Sequence, residues 1–249
     1  MKPISETRQK INRVQQAKHL VRATQSLDEV YVLLNQLSSD VLDMYPHIAC
    51  RSMCNTCCKG NSMPTVSAAE WERVHQYLLQ YYTEDQRKAL IDRTREMYNP
   101  RKALYWAVHD TIQQDPTPEK LAAFAEILPQ LMETQCPMLV DEKCSVYLSR
   151  PAKCRAHGTF LFVLPPHVQF HACESEIEKM ETFLQEQGSR QVVMPVWNDF
   201  EVKINSDFNP PEAISTILPI WLLSHIQNGE LRPDTVLTPN FEHFRLQDL

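Results

Sequence analysis

The chain reads as mainly α with a small β-rich patch: a cysteine-rich core, interrupted by a helical insertion and carrying helical termini. Three observations predict this class. Capping residues recur just ahead of segments whose apolar positions follow a helical period. Runs rich in β-branched and aromatic residues are short and confined to the second half of the chain. Eight cysteines fall into two groups, a tight one at Cys50, Cys54, Cys57 and Cys58 and a spread one at Cys136, Cys144, Cys154 and Cys173.

From the N-terminus, Ile11, Val14, Ala17 and Val21 recur at helical spacing in a segment with six Lys/Arg and one Glu over its first 22 residues. It reads as a basic surface helix, because no apolar run of signal-peptide type is present and Gln outweighs Ser. Ser26 with Glu29 forms a capping box before Leu27, Val30, Leu34, Leu37 and Val41, which share one helical face. Ser67 with Glu70 and Thr83 with Gln86 repeat the device. Asn99-Pro100 and Thr117-Pro118 read as a cap followed by proline in the first turn. Ser175 with Glu178 opens a further helix that Gly188 closes. Asn209 precedes "PPEAISTILPIWLLSHIQN", read as helical up to Gly229. Strand-like material is limited to "CSVYL", "TFLFVL", "VQFHA", "QVVMPV" and "DFEVKI". With no repeat and no low-complexity linker, residues 1–249 are expected to form a single domain. Its metal-binding core would lie at 46–66 and 134–175, with a helical insertion at 67–133 and a helical or mixed region at 176–249.

Composition excludes several function classes. The net charge of −6 and pI near 5.9 give no signal for nucleic acid or an acidic membrane surface. "AISTILPIWLLSHI" is too short and too broken by Ser, Thr and Pro to span a bilayer. Only four glycines occur, all far apart, so neither a dinucleotide-binding turn nor a P-loop can be written. No G-x-S-x-G elbow and no H-E-x-x-H helix is present. Eight cysteines without a secretory signal point to a reducing, cytoplasmic setting, where clustered thiols serve as metal ligands or redox groups more often than as disulfides.

The head of the cluster is C-x3-C-x2-C-C. Thiolates bind soft and borderline metals well, and short loops between them lower the entropy of closing a site. Neighbouring Cys57 and Cys58 are awkward partners on one tetrahedral ion but suit different metals, and eight thiolates suffice at most for two four-ligand sites. His157 and His171 are the histidines nearest to cysteines in sequence, and either is a candidate ligand.

"CPMLVDEKCSVYLSRPAKCRAHG" following that head resembles the YkgJ family of cysteine-cluster proteins, the zinc- or iron-chelating domain with a CxxCxxCC head. Cys136-Pro137 with Leu139, Cys144 with Tyr147, Arg150-Pro151, Cys154-Arg155 and Cys173 fall in the family's order. The resemblance covers about 48–66 and 134–175, with one extra residue in the first gap and a long loop between head and tail. It implies that all eight cysteines are metal ligands. The family includes a flagellin lysine methylase, which implies an iron–sulfur cluster, of [4Fe–4S] type, and makes S-adenosylmethionine a candidate cofactor. Cys50-x3-Cys54-x2-Cys57 also has the radical S-adenosylmethionine spacing, but Thr56 stands where an aromatic is usual and the βα repeat of that barrel is missing. Arg150 and Arg155 flank Cys154 as candidate donors to cluster sulfurs or to an anionic ligand. Two functions follow as expectations. One is a metalloprotein with an iron–sulfur cluster that supports modification of a peptide or small molecule. The other is a non-catalytic zinc or iron protein in which metal organises the fold for partner binding or metal handling. Either way the two cysteine groups are expected to meet, with Cys54 and Cys154 in one compact site.

Overall fold

A computed structural model describes residues 4–50, 54–60, 63–113, 118–164, 167–188 and 191–245. In chain order α1 (Ile4–Gln15), α2 (Ala17–Ala23) and α3 (Leu27–Met44) come first, then β1 (Thr65–Val66). Next are α4 (Ala68–Tyr81), α5 (Glu84–Tyr98), α6 (Lys102–Ile112) and α7 (Pro118–Met132). The hairpin β2 (Leu139–Val140) and β3 (Lys143–Cys144) leads to α8 (Ala152–Ala156) and a second hairpin, β4 (Leu161–Leu164) and β5 (His167–Phe170). After α9 (Glu174–Glu186) and α10 (Trp197–Lys203) come β6 (Thr216–Ile217) and α11 (Leu218–Ser224). The hairpin β7 (Ile226–Gln227) and β8 (Glu230–Leu231) and the short α12 (Phe241–Arg245) complete the order. Helices dominate, and the strands pair only in twos, all antiparallel. The mainly α class with a small β component therefore holds.

Backbone packing gathers these elements into two units, Met1–Cys54 with Ala152–Phe208, and Asn55–Pro151 with Asn209–Leu249. In the first unit α3 is the organising helix. Ser26 caps it through the amide of Glu29, and Val30, Leu34, Leu37 and Val41 are wholly buried along one stripe. Burying each such side chain contributes about 1.5–3 kcal/mol, which is why a helix this amphipathic docks. Val14 and Ala17 from α1 and α2 and Ala152 and Ala156 from α8 share that core. Phe160 and Phe200 close it edge to face at 5.3 Å. Asp40, buried at 1% exposure, is tolerated because Arg13 stands 3.2 Å away.

In the second unit both expected capping boxes form in full, at Ser67–Glu70 and at Thr83–Gln86. Each satisfies two otherwise orphaned helix N–H groups. Behind them Trp71 stacks on Trp221 at 6.1 Å, and the indole of Trp221 donates to the Val66 carbonyl at 2.8 Å. Leu78, Leu90, Ile91, Tyr98, Tyr105 and Leu222 fill the remainder of this core.

Several local readings are corrected. "DFEVKI" lies in α10, because Trp197, Phe200 and Ile204 form a buried i, i+3, i+7 stripe. Within "CSVYL", only Cys144 is in a strand, and Tyr147–Ser149 is a 3-10 turn. "QVVMPV" contributes a single parallel bridge, Leu161 to Val196. The helix expected after Asn209 is confined to Leu218–Ser224; Asn209 itself accepts from the amide of Ala69 at 3.1 Å. Gly229 (φ 83°) follows Asn228 (φ 54°) at the tip of the β7–β8 hairpin, a pair of left-handed residues suited to a two-residue turn. Asn99 is the C-cap of α5 and opens a 3-10 turn with Pro100 in its first positions; the N-cap of that turn is Tyr98, not Asn99. The cap of α9 is Cys173, two residues ahead of Ser175. Thr117 lies outside the described residues, although α7 begins at Pro118 as expected. No helix among the described residues is long and apolar enough to cross a membrane.

Candidate metal centre

All eight cysteines are thiols rather than disulfides. The two units divide them four and four, and each set combines both sequence groups. In the second unit, Asn55 precedes a 3-10 turn, Thr56–Lys59, that carries Cys57 and Cys58 and ends on Gly60 at φ 128°. That backbone angle suits glycine, so the chain reverses directly after the adjacent cysteines. The amide of Cys136 donates to the Cys58 carbonyl at 2.8 Å, which joins the head of the motif to the later segment. Leu139 donates back to Cys136 at 3.0 Å and pairs in register with Cys144.

The β2–β3 tip places Asp141 and Glu142 at φ 47° and 63°. Two non-glycine residues in the left-handed region are costly, and the surroundings offset this. Asn55 Nδ2 donates to both the carbonyl and the carboxylate of Glu142, each at 2.8 Å, and Lys59 forms an ion pair with that carboxylate. Lys59 and then Asn55 hold the Glu142 carboxyl below its ordinary range.

Electrostatics connects this thiol set. The hydrogen bond with Cys58 is the largest cause bringing Cys57 down to about 7; burial opposes it and the Arg150 guanidinium assists. Arg150 also lies over the Tyr147 ring at 4.3 Å. Burial pushes Cys136 up to about 12, and negative charge on Cys144 and Cys57 pushes the same way. A half-buried, acidic thiol and a buried, resistant one thus belong to the same unit. A bound cation would stabilise the thiolate form of each, since metal coordination deprotonates a thiol outright.

In the first unit, the amide of Ala49 is anchored by Glu176 of α9 at 2.8 Å, and Lys179 holds that carboxylate at 2.6 Å. Cys50 then packs on the backbone of residues 157 and 158, its thiol donating to the His157 carbonyl at 3.4 Å. Gly158, at φ 82°, leaves the space that Cys50 occupies. Its amide donates to the His171 carbonyl at 2.6 Å, and the amide of His171 to Phe160 at 2.9 Å, prolonging the β4–β5 pairing to the cysteine segment. Cys154 rides on α8, which packs against α3. Cys173 is buried at the N-cap of α9, 3.5 Å from the Ser175 hydroxyl. The hydrogen bond from Glu176 first, with smaller help from Cys173 and Cys54, holds the Lys179 ammonium above its ordinary range.

His157 and His171 meet edge to face at 4.8 Å. His157 is only 8% exposed, and burial takes its pKa down to about 4; His171 is held well below the usual range by burial first and by His157 next. Both nitrogens of His157 and Nε2 of His171 are shut from solvent without a protein hydrogen bond. Each such orphan costs about 1–3 kcal/mol. Arg155 turns to α3, its guanidinium 4.4 Å over the Tyr31 ring and 3.2 Å from Asn35 Oδ1. Among the described residues, no three His, Cys, Asp or Glu side chains converge closely enough to hold an ion as they stand.

The family model CxxCxxCC, "Putative zinc- or iron-chelating domain", matches residues 49–183, more than half of the chain. The chain belongs to the CxxCxxCC family. Neither the curated proteins nor the solved structures returned a match. Membership makes this a metal-binding cysteine-cluster protein of the zinc- or iron-chelating kind. The residues present fit such a group. Soft thiolates in fours are the donor set of zinc and of iron–sulfur clusters, and burial of the Cys136 thiol keeps water from competing for it. The CxxCxxCC motif here has three residues in its first gap, and Cys54 falls with Cys50 in the first unit while Cys57 and Cys58 fall in the second. Sequence spacing alone groups these four. The ligand candidates it underweights are His157 and His171, whose only signals are Cys154-x2-His157 and His171-x-Cys173.

Proposed function

We propose that the chain is a metalloprotein whose cysteines supply its metal ligands, and that Cys57, Cys58, Cys136 and Cys144 hold an iron–sulfur cluster. One observation carries this reading: the hydrogen bond from the Cys136 amide to the Cys58 carbonyl, which joins the segment of the adjacent cysteines to the segment of Cys136. Adjacent cysteines cannot easily share one tetrahedral ion, whereas a cluster offers each a different iron. The charge of Arg150 beside Cys57 would offset part of the anionic charge of such a group.

The donor count bears on activity. A [4Fe–4S] cluster with four protein thiolates has no iron open, so S-adenosylmethionine chemistry on a peptide or small molecule would need one thiolate released. A fully ligated cluster that organises the second unit suits the burial of Cys136 in its core better. Anaerobic purification with iron, zinc and acid-labile sulfide measured per chain tests the reading. Brown protein with iron and sulfide, both lost in Cys58→Ser and Cys136→Ser, is the expected result. Stoichiometric zinc without sulfide would overturn the cluster and leave the zinc-organised fold in its place. S-adenosylmethionine that perturbs the reduced cluster's paramagnetic spectrum would favour the catalytic use.

A further inference from the structure

We propose that the first unit carries a metal site of its own with mixed donors, in which His157 and His171 join the thiolates of Cys50 and Cys154 on one zinc(II) ion. The inference rests on the reading of the chain as metal-binding, but it adds a ligand type that the cysteine motif does not contain. Its basis is the pair of imidazoles. The Nε2 of His171 is shut from solvent with no hydrogen-bond partner among the described residues. A buried ring nitrogen whose lone pair is unused is the donor that a metal-ligating histidine presents.

His157 reinforces this. It is buried, in ring contact with His171, and both of its nitrogens lack a protein partner. Packing alone explains the edge-to-face contact but not three shut-in ring nitrogens. Cys154-x2-His157 places thiol and imidazole three residues apart at the end of α8, and Cys50 is fixed on the backbone of residues 157 and 158. Two thiolates and two imidazoles make a tetrahedral N2S2 set, one of the ordinary donor sets of structural zinc. The four donors do not converge as they stand, so binding would draw their side chains together and release the thiol protons as the ion enters.

The test uses the full chain, purified anaerobically with zinc supplied. Zinc-edge X-ray absorption should show two nitrogen neighbours near ~2.0 Å beside two sulfurs near ~2.3 Å. His171→Gln and His157→Gln should each lose about one zinc per chain, while iron and sulfide stay at wild-type values, and His171→Cys should recover the zinc. A sulfur-only shell in the wild-type protein, or full zinc in the double glutamine variant, would overturn the site and leave the second unit's cluster untouched. Absence of all metal from the wild type would overturn this site together with the broader reading. Should a glutamine variant fail to fold, the wild-type absorption spectrum decides alone.

Discussion

Gly158→Ala probes the contact that fixes Cys50. A Cβ at this position would meet both Cβ and Sγ of Cys50 far inside 3.0 Å, and the backbone φ is +82°. Two costs add. An L-residue in the left-handed region costs about 1–2 kcal/mol, and forcing a methyl into a packed contact costs about 1–3 kcal/mol. Gly188→Ala separates them: its φ is +60° and nothing lies within 4 Å of the added carbon. Gly188→Ala should therefore lose only the backbone part, about 1–2 kcal/mol, and Gly158→Ala about 1–3 kcal/mol more. In a chain of this size that difference is about 2–10 °C in Tm. Urea unfolding followed by circular dichroism measures both variants, and adding Cys50→Gly closes a double-mutant cycle. Coupling of about 1–3 kcal/mol between positions 50 and 158 is expected in that cycle. Equal losses in the two alanine variants, or additivity in the cycle, would refute the placement of Cys50 on this turn.

The remaining predictions concern protons and thiols. His75 and His225 are both taken down to about 4, first by burial, in a pocket shared with Trp71, Arg232 and Asp234. Because the unfolded histidines titrate near ~6.5, the folded chain binds fewer protons between these values. Stability should be whole above about pH 6.5 and fall towards pH 4 by up to about 1.4 kcal/mol per pH unit per histidine. His75→Gln with His225→Gln should make the urea midpoint fall less steeply across that window, His157 and His171 keeping the rest of the slope; an unchanged slope would refute the assignment. In metal-free, reduced protein near pH 7, iodoacetamide should label Cys57 first and Cys136 last, read by tandem mass spectrometry of the peptides. Cys58→Ala removes the hydrogen bond that lowers Cys57, so it should slow labelling there several-fold. Ser67→Ala should cost about 1 kcal/mol through the lost cap of α4, seen as a lower urea midpoint.

How much of this is legible in the sequence follows from the range of the interaction concerned. The capping boxes at Ser67 and Thr83 are readable because donor and acceptor lie three residues apart. The β4–β5 hairpin is readable from its two apolar runs. "DFEVKI" misleads because its short alternation fits a strand while the stripe through Trp197, Phe200 and Ile204 extends past the run. Asn228-Gly229 carries a hairpin signal, but the apolar residues ahead of it at 214–226 mask it as a helix end. The Asp141-Glu142 turn is not readable, since Glu142 takes a left-handed φ only with Asn55 and Lys59 fastening it from elsewhere in the chain.

The cysteines pose the same problem at the level of chemistry. Spacing groups Cys50, Cys54, Cys57 and Cys58 because they are near in sequence, yet four thiols crowded into nine residues are not thereby one site. What sorts them is where their backbones are held. Cys58 is tied to Cys136 by an amide, and Cys50 is set against Gly158 by a missing side chain. Neither constraint has a signature in the motif itself. The motif passes from the first unit to the second between Cys54 and Asn55, inside the gap that separates Cys54 from Cys57. Each unit thus holds cysteines of both sequence groups, Cys50 and Cys54 with Cys154 and Cys173 in the first, Cys57 and Cys58 with Cys136 and Cys144 in the second. On this reading the doubled Cys57-Cys58 pair belongs to the unit that supplies sulfur donors alone, and the two buried imidazoles to the unit that supplies fewer thiolates to its ion.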